Sequence, residues 1–158
     1  MDSKVEIYLK RARTEIDSAI LLFETSGNQV LNQFNIDPND TFYSGVISHA
    51  YYSIFYCAKA MLLSKKIETS APEVHKKTFK MFKKIFINTG LLDKKLFEIY
   101  NEMIIKADTL LEIFKTEKKK RGDFTYNTIP QANKSPAQES IENSKTFYRH
   151  CNTYLSQL

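Results

Sequence analysis

Ser48-His49-Ala50-Tyr51-Tyr52-Ser53-Ile54-Phe55-Tyr56-Cys57-Ala58-Lys59-Ala60-Met61-Leu62-Leu63 is the stretch that decides the fold. Advanced by about 100° per residue, Ile47, Tyr51, Ile54, Ala58, Met61 and Leu62 share one narrow face, the spacing of a helix buried against other helices. His49, Tyr52, Tyr56, Lys59 and Leu63 share the opposite face, which is aromatic but carries polar tips and therefore suits a partner or a wet groove. A helix with two usable faces belongs at the centre of a bundle or at a contact between bundles. The second face is accordingly read as the seam of a homodimer.

Working outward, every long segment keeps a helical apolar period. Val5, Tyr8, Leu9, Ala12, Ile16, Ala19, Ile20 and Phe23 form a stripe that Ser3 and Glu6 open with a capping-box spacing and Gly27-Asn28 ends. Gln29 to Asp40 is a connection with a short apolar turn, and the central helix is predicted from about Thr41 to Lys66. A second capping-box spacing, Ser70 to Glu73 with Pro72 in the first turn, opens a third helix through Phe79, Phe82 and Phe86, closed by Thr89-Gly90. A long fourth helix starts near Asp93 and runs into a lysine cluster. Ser135-Pro136 starts the last, whose buried side is Ile141, Ser144, Phe147, Cys151, Tyr154 and Leu155. The expectation is all-α: one domain over residues 1–158, an antiparallel, up-and-down bundle of about five helices.

Composition narrows the classes. The chain of 158 residues is 42% apolar and 26% charged, a globular balance, and its four glycines are too few for sandwiches, barrels or doubly wound sheets. Cys57 and Cys151, at unrelated positions with no secretory leader, read as reduced thiols, and no apolar run approaches a membrane span. A cytoplasmic protein without membrane contact is expected. There is no P-loop, dinucleotide fingerprint, zinc spacing or nucleophile elbow, so neither cofactor nor metal is expected. His49, His75 and His150 lie in separate segments, without the neighbouring ligands a metal would need.

The net charge of +5 is concentrated in lysine clusters, above all Lys118-Lys119-Lys120-Arg121. Cations at a helix C-terminus answer the helix dipole. Here they are followed by Gly122-Asp123-Phe124 and Tyr126, so an arginine able to fork onto a phosphate sits beside rings able to stack on a base. Lys118, Lys119, Lys120, Arg121 and Tyr126 are the candidate phosphate and nucleic-acid contacts.

Four stretches resemble a known family. Ala50-Tyr51-Tyr52-Ser53-Ile54-Phe55 with Ala58-Lys59-Ala60-Met61-Leu62-Leu63 is similar to the "AYYAxFxxARALL" signature of small HEPN proteins, the higher eukaryote and prokaryote nucleotide-binding family. Val74-His75-Lys76 resembles its "THKG", Phe86-Ile87-Asn88-Thr89-Gly90-Leu91-Leu92 its "FVKTGKL", and Arg121-Gly122-Asp123-Phe124 its "RxADY". The resemblance implies a dimerising helical bundle from toxin–antitoxin or defence settings, often beside a small nucleotidyltransferase. In catalytic members an arginine followed about four to six residues later by histidine forms a metal-independent ribonuclease site, in which the histidine assists proton transfer. In this chain Tyr126 and Asn127 stand where that histidine would be.

Arg121 and Asp123 are therefore carried over as the functional pair, and His49 or His75 would have to supply an imidazole across a dimer. Three functions follow: a module binding RNA, a nucleotide or a nucleotidyltransferase antitoxin; an endoribonuclease using Arg121 with a non-standard acid–base partner; or a bundle that only mediates association. The stretch from Leu96 to Arg121 is longer than the family's usual helix, which would carry Arg121 beyond the bundle.

Overall fold

The computed structural model describes the backbone of residues 2–120 and 133–158 and the side chains of residues 2–111 and 133–158. Helix α1 spans Ser3–Thr25, a 3-10 turn Gln29–Phe34, α2 Tyr43–Ser64, α3 Val74–Phe82 with a π-helical continuation Lys83–Ile87, α4 Lys94–Lys120 and α5 Lys134–Ser156. Among the described residues there is no strand, and no helix is long and apolar enough to cross a membrane.

Side-chain pairs set the directions. Tyr8 stacks on Tyr56 and Glu15 meets His49, so α1 and α2 run antiparallel. Tyr100 lies against Phe147 and Lys106 bonds Glu139, which makes α4 antiparallel to α5. Lys134 lies over Phe23 and Lys65 over Tyr154, so α5 starts beside the C-terminal end of α1 and finishes beside that of α2. Helix α2 packs against α1, α3, α4 and α5. Its buried residues, Val46, Ile47, Ala50, Ser53, Ile54, Phe55, Cys57, Ala58, Ala60, Met61 and Leu62, extend well beyond one narrow stripe.

Several ends differ from the sequence-based expectation. Asp2, not Ser3, caps α1: its backbone is extended and its carboxylate accepts from the Lys4 N–H at 2.9 Å, leaving Ser3 as the first helical residue. The Ser70–Glu73 pair does not form a capping box. Glu73 is left-handed, with φ at 57°, immediately before Val74, and makes no side-chain cap bond, so Pro72 precedes the helix. Helix α2 starts and ends two residues inside the predicted limits, because the Phe42 N–H is held by the Ser26 hydroxyl and Lys66 turns left-handed at φ 60°. Helix α5 begins at Lys134, with Pro136 inside the first turn where its missing N–H has no intrahelical partner to lose.

Cys57 and Cys151 are also not unrelated in space. Both are free and fully buried, and the thiols meet across the α2–α5 contact, where burial and the Cys57 sulfur hold Cys151 protonated.

An aromatic cluster joins α3, α4 and α5. Phe82 lies 5.5 Å from Phe86, 5.8 Å from Tyr100 and 5.4 Å from Phe147, between ring centroids. The Tyr100 hydroxyl is buried there without a hydrogen-bond partner among the described residues. Removing an unsatisfied polar atom from a core relieves a desolvation penalty, so Tyr100→Phe is expected to be neutral or more stable by about 1 kcal/mol. Urea unfolding checks it; a clear loss of stability would mean that the hydroxyl has a partner after all.

Among the described residues of α4, Leu96, Ile99, Tyr100 and Met103 are buried. Beyond these, Ile104, Ala107 and Leu110 are half-buried and Ile105 and Leu111 are exposed, so the middle of the helix borders a groove instead of filling the core.

Candidate functional site

The groove lies between the first half of α2, the start of α3 and the middle of α4. Its volume is about 570 Å³, within the range of small-ligand sites. Ser44, Gly45, Ser48, Tyr51 and Tyr52 come from α2, His75 from α3, and Ile104, Ala107, Asp108, Leu110 and Leu111 from α4. The helical period explains the α2 contribution, since Ser44, Ser48, Tyr51 and Tyr52 recur at three and four residues.

His75 is fixed from two sides. Its ring stacks on Phe55 with centroids 4.1 Å apart, and its Nδ1 lies 2.8 Å from the Tyr51 hydroxyl. Burial, helped by the Tyr52 and Asp108 charges, pushes the Tyr51 phenol well above its usual range, so it keeps its proton. Tyr51 and the His75 Nδ1 thus share one hydrogen bond, whose donor is set by the imidazole tautomer, and Nε2 is the ring nitrogen left for a ligand. Burial, and secondarily Lys59, lowers the His75 pKa and keeps the ring neutral.

A pH dependence follows. As pH falls through about 6.5, the ordinary histidine value, the unfolded chain takes up a proton that folded His75 resists. This contribution to stability is present above that pH, declines below it, and stops changing once the lowered folded pKa is passed. The urea midpoint of the wild type should therefore fall more steeply below that pH than that of His75→Gln; parallel profiles would refute it.

The residues read as a dimer seam are placed as follows. His49 Nδ1 lies 2.6 Å from Glu15 of α1. Tyr56 stacks on Tyr8 and takes the Arg11 guanidinium 4.7 Å above its ring. Lys59 donates to the Thr69 carbonyl at 2.8 Å and lies over Tyr8. Lys59 and Leu63 line a second cavity of about 340 Å³ with Lys4, Ile7, Tyr8, Arg11 and Glu68. Much of that face is thus the contact of α2 with the chain's own α1. Tyr52, 39% exposed, looks instead into the first groove.

Lys118, Lys119 and Lys120 form the last turn of α4, and their side chains, with Arg121, Asp123 and Tyr126, lie outside the described residues. Lys120 lies twelve positions beyond Asp108, about 18 Å along the helix axis, so the lysine run is separated from the His75 groove by roughly three helical turns. Among the described residues, no three His, Cys, Asp or Glu side chains gather where they could hold a metal.

Residues 5–154 match the HEPN domain family. The chain belongs to the HEPN family. The HEPN chain is 37% identical over 119 residues to a Methanocaldococcus jannaschii protein named "Putative toxin MJ0142", a match covering 72% of this chain and 76% of the relative. A second protein of that organism, named "Putative toxin MJ0605", is 34% identical over 64% of this chain and 67% of its own length. A Pyrococcus horikoshii protein named "UPF0332 protein PH1297" is 30% identical over 70% of this chain and 75% of its own.

Within this HEPN fold, sequence reasoning found His75 through its motif but missed Ser44, Ser48 and Asp108 as its neighbours. Asp108 carried no signal beyond being an acidic residue on the apolar part of the fourth helix. Tyr51 was assigned to the core face, whereas it is half-buried and holds His75.

Proposed function

We propose that this HEPN protein is a toxin–antitoxin or defence component that acts by binding RNA, with Lys118, Lys119, Lys120 and Arg121 on the phosphates and Tyr126 on a base. The similarity to the M. jannaschii protein named as a toxin, over three-quarters of its length, is the observation that carries the setting. The clustered cations beside an aromatic residue support the ligand. Binding is favoured over hydrolysis because Tyr126 and Asn127 stand where the family's histidine would follow Arg121.

The working unit in this reading is a cytoplasmic homodimer, met by a nucleotidyltransferase antitoxin in the cell. The test pairs two assays on purified protein. RNA binding that weakens with salt supports the reading, whereas salt-independent binding or none overturns it. RNA cleavage in excess chelator, lost in Arg121→Ala, would establish the endoribonuclease with Arg121 and Asp123 at its centre and displace the binding-only reading.

A further inference from the structure

The groove at His75 has a chemistry of its own. Among the described residues lining it there is no lysine or arginine, and the one charged residue is the exposed Asp108, for which no hydrogen bond or ion pair is made among the described residues. That carboxylate repels phosphate, which disfavours a second backbone contact at this wall. It favours an uncharged planar group that presents N–H donors.

The walls are matched to such a group. Tyr52 is partly exposed and is held edge-on by Tyr51, at 5.6 Å between centroids, so one aromatic surface is fixed before any ligand arrives. Ile104, Ala107 and Leu110 form the apolar wall opposite. With Nδ1 engaged by Tyr51, the Nε2 of His75 is left for a ligand, and Asp108 is an acceptor of two hydrogen bonds.

Among the nucleobases only guanine shows, along one edge, an acceptor followed by two adjacent donors: O6, then N1–H and the 2-amino group. Adenine and cytosine place an acceptor where the carboxylate needs a donor, and uracil has a single donor. We infer that the α2–α3–α4 groove is a guanine-selective base pocket, with Tyr52 stacking on the base, Asp108 accepting from N1–H and the 2-amino group, and His75, in its Nε2–H tautomer, donating to O6.

The inference deepens the RNA-binding reading and rests on it for its biological meaning: the lysine run about 18 Å along the same helix would meet phosphates a few nucleotides away. The experiment separates the two, because it uses nucleosides that carry no phosphate. Guanosine, inosine, adenosine, cytidine and uridine are titrated into the full chain, with amide and aromatic chemical shifts as the readout.

Guanosine is expected to move Tyr52 and His75 resonances and to bind more tightly than inosine, which lacks the 2-amino group, and than the other three. Asp108→Asn is expected to weaken guanosine about tenfold or more, and Tyr52→Ala to weaken it comparably. Both positions are exposed, so the fold survives substitution and circular dichroism confirms it. Equal response to all five nucleosides, no response at millimolar guanosine, or an unchanged affinity in Asp108→Asn overturns the pocket. So do groove resonances that follow protein concentration instead of nucleoside, which would make the groove a contact between copies. In each of those cases salt-sensitive RNA binding through the lysine run can persist, so the broader reading is judged on its own assay.

Discussion

Replacing Phe82 by alanine is expected to destabilise the protein by about 3–5 kcal/mol, the usual range for deleting a buried aromatic ring. Phe82 has no exposed surface and is surrounded by Phe86 from its own segment, Tyr100 from α4 and Phe147 from α5. Three different elements therefore lose a contact at once. The rings on either side belong to rigid helices, so collapse into the space is limited and most of the cavity remains. Against the total stability of about 5–15 kcal/mol ordinary for a domain, such a loss removes a large fraction of the margin. Phe34→Ala is the comparison: Phe34 is 64% exposed on the 3-10 turn, and its removal is expected to stay within about 0.5 kcal/mol. Urea unfolding of both variants checks the contrast, and similar midpoints would mean that the cluster does not organise the fold.

The position of that cluster shows what a sequence can carry. Phe79, Phe82 and Phe86 announce an apolar helix by their spacing, and Tyr100 and Phe147 fall on the apolar stripes of theirs. Periodicity thus gives which residues point inward, and the all-α class follows from it. It gives no information on which inward residues meet. The Cys57–Cys151 contact, invisible as a spacing of nearly a hundred residues, is set by the parallel course of α2 and α5. Helix ends were the least legible part for a related reason. Asp2, Ser3, Ser70 and Glu73 all belong to residue types that cap or form turns, and the choice among them is made by backbone dihedrals that composition does not encode.

The candidate site divides along the same line. The aromatic, polar-tipped face of α2 was legible, because its residues recur at helical spacing. Which neighbour covers it was not. Glu15, Tyr8 and Arg11 of α1 take up His49 and Tyr56, and only Tyr52 opens toward the groove. His75 was legible as part of a motif, yet the contacts that hold its ring, the Phe55 stack and the Tyr51 hydrogen bond, were not. They join side chains of different helices and exist only in the assembled bundle.

The second large effect concerns charge. Converting Lys118, Lys119, Lys120 and Arg121 to glutamine is expected to weaken binding of single-stranded RNA about a hundredfold or more at physiological salt, and to reduce the salt slope by about 3. The slope is the sharper quantity, since each cation that displaces a counterion from a single strand contributes about 0.7 to it, and four such residues are removed together. Fold stability should hardly change, because solvated cations on a helix end contribute only about 0.3–1 kcal/mol through the helix dipole. That separation matters: a variant that keeps its urea midpoint and loses both affinity and slope has lost phosphate contacts, not structure. A variant that loses affinity at every salt concentration by the same factor has lost something other than ion pairing, and the phosphate contact would then have to be sought elsewhere. An unchanged slope with unchanged affinity would place the whole run in solvent, where it answers the dipole of α4 and nothing more.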